Sequence, residues 1–156
     1  MGEIADSSHT LLISIDTKLG GSKHDLTQRK VTDELVALAR HPLCAGVMAS
    51  FPCRTWCAGR FNQPGPCVLR KEQFEMGVDN LSAADQADVD NSNLLVSNGA
   101  EVLTAANECD VPWILECPIS RSRNTSFTPQ QAIKGREEHV SMITHDSLIK
   151  LINTSS

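Results

Sequence analysis

The chain has 156 residues, a formal net charge of −5, 40% hydrophobic residues and a mean hydropathy of −0.19. That length suits one globular domain with a core of its own, and no apolar stretch is long enough to span a bilayer. The acidic balance argues against bulk attraction to nucleic-acid phosphate. The first residues carry no basic or apolar leader, so we expect an intracellular protein, with no membrane contact, whose six cysteines are reduced thiols.

Apolar β-rich runs alternate with amphipathic helical patterns along the chain. The predicted strands are 9–15, 44–50 and 111–116, with 140–144 as a candidate edge strand. The predicted helices are 25–40, 82–108, 128–135 and 147–153. Pro42 ends the first helix because proline cannot continue one. Ser82 opens the second helix through a capping box with Asp85.

This β-α-β-α-β order predicts parallel strands joined by right-handed crossovers, with helices on both faces of the sheet. The expected fold is therefore α/β, a three-layer Rossmann-like parallel sheet, although three strands are few for a complete one. We predict a single domain over 9–153, flanked by a flexible N-terminus at 1–8 and a tail at 154–156. The most buried residues are expected to be Leu35, Leu38, Val47, Met48, Leu95, Val102, Ile114 and Leu115.

Two of the predicted strands stop at reactive side chains. The run that includes Val47 leads to the thiol of Cys53, and the run 111–116 ends on the carboxyl group of Glu116. Neighbouring parallel strands deliver their carboxyl ends to one edge of a sheet, so both groups are expected to face one cleft. A thiolate that attacks and a carboxyl group that handles the proton form a site for covalent chemistry.

The other cysteines favour packing over chemistry. Cys44 and Cys109 are expected to pack as small apolar residues. A zinc site built on Cys53, Cys57, Cys67 and a histidine is conceivable, but no histidine follows at ligand spacing, so no metal is predicted.

These two strand ends resemble motifs of a known family. The segment 51–56 reads FPCRTW and resembles the Pro-Cys loop of cytosine-C5 DNA methyltransferases, whereas 115–118 reads LECP and resembles their later Glu-Asn motif. The chain is more closely similar to divergent methyltransferase-like domains of retroelement-type polyproteins, over roughly 15–142. Asn93 matches a helix asparagine of those domains.

The resemblance implies a mechanism and a cofactor, S-adenosylmethionine. Cys53 would add to C6 of a cytosine while Glu116 supports protonation at N3, and the base would first leave the helical stack. Asp16 would meet the cofactor ribose and Asp25 the adenine amino group. From the residues alone, Asp16 equally suits the start of a turn and Asp25 a helix cap.

Arginines complete the expected site. Arg60 or Arg121 is expected at the rim of the cleft, and Arg121 with Arg123 could hold a phosphate of DNA. The family's glycine-rich cofactor loop has no counterpart ahead of Asp16. The resemblance therefore implies an incomplete methyltransferase fold, whole only with a partner chain.

Three function classes stay open at this point. The first is S-adenosylmethionine-dependent methyl transfer to DNA, with the isolated chain expected to be inactive. The second is a catalytically dead relic that serves as a nucleic-acid-binding or protein-interaction module. The third is another cysteine chemistry at Cys53, with His139 or His145 as its base.

Overall fold

A long central helix organises the structure, a computed structural model that describes residues 11–57, 60, 66–71, 73–117 and 141–154. In chain order its elements are α1 (Thr17–Gly20), a 3-10 turn (Gly21–His24), α2 (Arg29–Ala39), β1 (Val47–Ser50), α3 (Ala83–Glu108), β2 (Trp113–Glu116), a 3-10 turn (Met142–Thr144) and α4 (Asp146–Thr154). The predicted helix 128–135 and the predicted N-terminal segment 1–8 lie outside the described residues. No helix in the described ranges has the length and apolarity needed to cross a membrane.

Helix α3 begins and ends as its sequence predicts. The Ser82 hydroxyl accepts a hydrogen bond from the Asp85 amide at 3.1 Å and donates one to the Asp85 carboxylate at 2.7 Å. The shorter aspartate thus closes the cap through the hydroxyl. At the other end Asp110 adopts φ 56°, a left-handed conformation that aspartate tolerates better than most residues. This residue turns the chain from α3 into β2.

The two strands form a parallel pair, as predicted. Val47 lies opposite Trp113, and Ser50 lies opposite Glu116. Side chains alternate between the faces of a strand, and the inner positions of both strands are partly buried toward α3. The outer face is open, because Met48 is 72% exposed and Ile114 is 63% exposed.

Several sequence predictions about strands and burial are wrong. Residues 11–15 form no strand, and residues 142–144 form a 3-10 turn in place of an edge strand. Met48 and Ile114 are exposed because, within the described part of the chain, helices cover one face of the strand pair. Leu38 is 41% exposed because it lies beside the stripe of α2 that packs on α3. The mixed helix and strand composition holds, whereas the described elements do not establish the three-layer sheet.

The core lies between α3, the inner face of the strands and the flanking helices. One cluster joins α3 to α4 and to the segment after β1, and its buried members are Trp56, Val96, Ala100, Leu103, Met142, Leu148 and Leu151. A second cluster joins α3 to α2, and its buried members are Ala39, Val102, Ala105 and Ala106. Helix α3 contributes to both clusters, so the remaining elements are arranged around it.

Removal of apolar volume from the centre of α3 should destabilise the protein. Leu103 is fully buried, so Leu103→Ala should lower the free energy of unfolding by about 2–5 kcal/mol, because it loses apolar contact and leaves a cavity. Leu94→Ala is the control on the same helix, since Leu94 is 44% exposed and should cost much less. Urea unfolding followed by circular dichroism measures both. Equal losses would contradict this description of the core.

Candidate functional site

The two strands end side by side on a hydroxyl and a carboxylate. Ser50 closes β1 and Glu116 closes β2, and both are exposed. The Ser50 hydroxyl donates a hydrogen bond to Oε2 of Glu116 at 2.8 Å, which orients that carboxylate across the strand pair. The next residue, Cys117, is half-buried, and burial together with the adjacent Glu116 raises the pKa of its thiol. Glu116 is therefore the accessible group at the end of β2.

Cys53 lies just beyond the end of β1, in residues 51–57, here called the Cys53 loop. Its thiol is free and exposed. The Trp56 amide donates to the Cys53 carbonyl at 2.9 Å, which closes a tight turn around the thiol. Cys53 and Glu116 thus both lie at the carboxyl-terminal edge of the strand pair, where parallel sheets gather ligand-binding groups.

One face of α3 forms the seat of the Cys53 loop. Gly99 faces the Phe51 ring so closely that a Cβ on Gly99 would overlap the ring atoms. Two turns earlier the Ser92 hydroxyl accepts hydrogen bonds from Thr55 Oγ1 at 2.8 Å and from the indole nitrogen of Trp56 at 3.0 Å. Ser92 and Gly99 are seven residues apart, and that spacing returns to the same side of a helix.

A buried arginine lies against both the Cys53 loop and α3. Arg70 is 2% exposed, and its guanidinium carbon lies 3.7 Å from the centroid of the Trp56 ring. Its Nε donates to Thr55 Oγ1 at 3.2 Å, and its Nη1 donates to Asn93 Oδ1 at 2.7 Å. We call Thr55, Trp56, Arg70, Ser92 and Asn93 the Arg70 cluster.

Arg60 braces the two ends of its own loop. It is 9% exposed, and it donates to the carbonyls of Arg54 and Cys67 at 2.8 Å each. Arg54 is exposed and pairs with Asp88 on α3. In this structure Arg60 therefore holds two backbone carbonyls and is nearly buried, in contrast to the exposed rim position expected for it, whereas the side chain of Arg54 is exposed. Arg121 and Arg123 lie outside the described residues.

The two aspartates expected to hold a cofactor accept hydrogen bonds from residues near them in the sequence. Asp16 caps α1 by accepting the Lys18 amide at 2.7 Å. Asp25 accepts the Thr27 amide at 3.0 Å and the Thr27 hydroxyl at 2.7 Å, and these bonds hold the pKa of its carboxyl below the usual range. Because 11–15 is not part of the strand pair, Asp16 is not delivered to the sheet edge. Within the described part of the chain, Asp16 and Asp25 are therefore bound to nearby backbone amides and are not brought together at the sheet edge.

The histidine and metal alternatives receive little support from the geometry. His145 is 4% exposed, and its ring lies edge-on to Trp56 at 6.2 Å, so it is a core residue and does not reach solvent beside Cys53. His139 lies outside the described residues. Within the part of the chain that the structure describes, no group of three or more potential ligands could hold a metal. Cys109, expected to pack inside, is exposed after α3, whereas Cys44 is partly buried.

Sequence reasoning missed several residues that build this site. Ser50, Ser92 and Gly99 gave no chemical signal, because small residues acquire a role only from what packs against them. Arg70 was singled out only through the resemblance, because Leu69-Arg70 matches a Leu-Arg pair of the retroelement-type domains, and no role was assigned to it. Asn93 was singled out through the resemblance, and the structure gives its amide a definite contact with Arg70.

Substitution of Gly99 should test the seat of the Cys53 loop. Alanine is intrinsically better than glycine in a helix by about 1 kcal/mol. Gly99→Ala should nevertheless destabilise the protein by about 1–3 kcal/mol, because its Cβ overlaps the Phe51 ring. In a Phe51→Ala background the same substitution should become stabilising. Chemical denaturation of the four proteins gives the cycle, and a stabilising effect in both backgrounds would refute the contact.

His145 should make stability depend on pH. Burial and the nearby Arg70 lower the pKa of His145 below 6.5, while Asp146 opposes the shift. Below that value the unfolded chain binds a proton that the folded chain resists, so the free energy of unfolding should fall as the pH drops from 7.5 toward about 5.

A matched pair of variants isolates this histidine. His145 Nδ1 accepts a hydrogen bond from the Ser147 amide at 3.3 Å. His145→Asn keeps an acceptor for that amide but does not titrate, so it should flatten the pH profile. His41→Gln, at an exposed position, should leave the profile unchanged. Thermal unfolding between pH 7.5 and 5 measures both, and a profile that His145→Asn leaves intact would contradict the assignment.

Comparisons with known proteins add no relative to this description. The chain matches no protein-family model, no curated protein and no solved structure. The geometry of the strand ends, the Cys53 loop and the Arg70 cluster therefore carries the functional argument.

Proposed function

We propose that this chain is a cytosine-C5 DNA methyltransferase-like domain that keeps the cytosine-activating half of the chemistry. One observation carries the proposal: the exposed thiol of Cys53 follows β1, and the exposed carboxyl group of Glu116 ends the parallel neighbour β2. Covalent activation of a base needs a nucleophile and a proton donor at one place. In this proposal β1 and β2 are adjacent strands of a three-layer Rossmann-like sheet that a partner chain completes.

The proposed step is a reversible conjugate addition. The Cys53 thiolate forms an S–C6 bond with cytosine, the C5=C6 π electrons move to form C4=C5, the N3=C4 π electrons move onto N3, and N3 takes a proton from the Glu116 carboxyl group. The resulting enamine is nucleophilic at C5 and accepts a proton there from water. Loss of a proton from C5, return of the N3 proton to Glu116 and expulsion of the thiolate restore the base.

Each side chain contributes a separate part of that step. Ser50 donates to Oε2 of Glu116, which orients the carboxyl group across the strand pair. The turn closed by the Trp56 amide holds the thiol at the sheet edge. The base must be unstacked to reach that edge, so the proposed substrate is cytosine in single-stranded or locally opened DNA.

No methyl-transfer step is proposed for the isolated chain. The carboxylates of Asp16 and Asp25 are committed to local hydrogen bonds, which does not favour their use for the ribose and the adenine of S-adenosylmethionine. A partner chain would have to supply the cofactor half. Calorimetric titration of the chain with S-adenosylmethionine should therefore give no binding heat.

A second function, as a protein-interaction module, is supported by a separate observation. Leu11 is 69% exposed and Leu12 is 56% exposed, and Met48 and Ile114 are exposed on the open face of the strand pair. Exposed apolar side chains in such numbers suit a surface that another protein covers. A relic of this kind would keep the surface and lose the covalent chemistry.

Hydrogen exchange at C5 tests the proposed chemistry without a cofactor. A single-stranded oligonucleotide rich in cytosine is incubated in deuterated buffer, and loss of the C5–H signal is followed by NMR. The wild-type chain should accelerate exchange, and Cys53→Ser should reduce it to the buffer rate. Glu116→Gln should lower the rate by about 10²–10⁴-fold, because proton transfer by a positioned acid contributes that much.

Cys109→Ser serves as the matched control, because Cys109 is exposed after the far end of α3. It should exchange C5 hydrogen as fast as the wild type. A wild-type rate equal to that of buffer, or one that Cys53→Ser does not change, would overturn the proposal and leave the interaction module in front.

A further inference from the structure

Arg70 is a buried cation with neutral partners. Within the described residues its hydrogen-bond acceptors are the Thr55 hydroxyl, the Asn93 amide and the carbonyls of Val89 and Glu75. Burial lowers the pKa of Arg70 to about 10 against the opposing effect of the Asp90 charge, so the guanidinium stays charged at neutral pH. A buried charge whose hydrogen-bond partners are all neutral costs stability, and an apolar residue of similar size would avoid that cost. The contacts of Arg70 therefore point to a role beyond packing.

Those contacts converge on the turn that carries Cys53. The guanidinium stacks 3.7 Å from the Trp56 ring centroid, a cation–π geometry, and its Nε donates to Thr55. Thr55 and Trp56 form the second half of the turn whose hydrogen bond ends on the Cys53 carbonyl. Arg70 thus holds two of the three residues that follow Cys53.

The anchor of Arg70 is Asn93 on α3. Its Oδ1 accepts from Arg70 Nη1 at 2.7 Å, and its Nδ2 donates to the Met76 carbonyl at 3.1 Å. The guanidinium is a rigid planar fork, so fixing Nη1 and Nε also fixes the plane that stacks on Trp56. The hydroxyl of Ser92, the adjacent residue of α3, accepts a hydrogen bond from the indole nitrogen of Trp56. Trp56 is consequently fixed by contacts from α3 and from Arg70.

We propose that Arg70, held by Asn93, is a positioning residue that sets the orientation of the Cys53 thiol at the sheet edge. This inference rests on the nucleophilic role proposed for Cys53. Arg70 itself is buried beneath Trp56 and does not reach the base. Its effect passes through Thr55 and Trp56 to the backbone of Cys53.

Two measurements test the proposal, one of the stability of the turn and one of the rate of C5 exchange. Amide hydrogen exchange by NMR reports opening of the Trp56–Cys53 hydrogen bond, with the Leu103 amide in α3 as a measure of global unfolding. The C5-exchange assay then gives kcat and KM for the same proteins. Arg70→Met should speed Trp56 exchange by about tenfold or more, as loss of charged hydrogen bonds implies, and lower kcat with KM nearly unchanged.

Variants at the anchor keep the test valid even if Arg70→Met unfolds. Asn93→Leu removes the acceptor and should loosen Trp56 in the same way. Asn93→Asp keeps an oxygen toward Arg70 and should preserve Trp56 protection. Arg70→Lys keeps the cation and loses the fork, so it should restore part of the protection lost in Arg70→Met. Arg40→Met is the control, because Arg40 is exposed and pairs with Glu108 far from the loop.

The outcomes separate this inference from the proposed function. Trp56 protection that Arg70→Met and Asn93→Leu leave unchanged, or that falls in step with Leu103, would overturn the positioning role. A Trp56 response without C5 exchange in the wild type would overturn the proposed function while upholding the action of Arg70 on the turn. A lower kcat together with a local Trp56 response supports both.

Discussion

The close packing of the Cys53 loop on α3 is the contact on which the site depends. A glycine at position 99 lets the Phe51 ring approach the helix backbone, and the Ser92 hydroxyl receives the next part of the loop. Glycine is a poor helix residue, and its cost is accepted where close approach is needed. Because Phe51 directly follows β1, this contact also sets the direction in which the chain leaves the sheet.

The same helix links the site to the rest of the core. Val96 and Leu103 on α3 pack with Trp56 and with Leu148 of α4, so Trp56 belongs both to the Cys53 loop and to the core. The buried polar contacts of Trp56 are satisfied by Ser92 and Arg70. A satisfied buried polar network favours one arrangement, since breaking one of its hydrogen bonds leaves a buried polar group without a partner. The loop is therefore ordered by the core and not by its own sequence.

The sequence predicted the elements whose signals are local and missed those that depend on a neighbour. The capping of α3 by Ser82 and the end of α2 before Pro42 follow from the residues at those positions, and both hold. The run 11–15 has strand-like composition, yet a strand also needs a pairing partner, which the described residues do not provide. Met48 and Ile114 were expected to be buried because the prediction assumed helices on both faces of the sheet.

The site follows the same division. The positions of Cys53 and Glu116 at the sheet edge could be predicted because each residue follows an apolar run, and parallel pairing brings the ends of such runs to the same edge. Arg60 could not be assigned from sequence, because its role depends on two carbonyls that folding places beside it. The carboxylates of Asp16 and Asp25 accept hydrogen bonds from backbone amides two residues further along the chain, a contact that short acidic side chains make readily.

The hydrogen bond between Ser50 and Glu116 depends on the register in which β1 pairs with β2. Side chains alternate along a strand, so a slip of one residue between β1 and β2 would turn Glu116 toward α3 and bring Leu115 out to the solvent face. The slip would also separate the carboxylate from the Ser50 hydroxyl. Trp113 and Leu115 on the inner face oppose it, because their burial would be lost. The apolar residues of β2 thus determine which face the Glu116 carboxylate occupies, and a substitution among them acts on that carboxylate from the opposite face of the sheet.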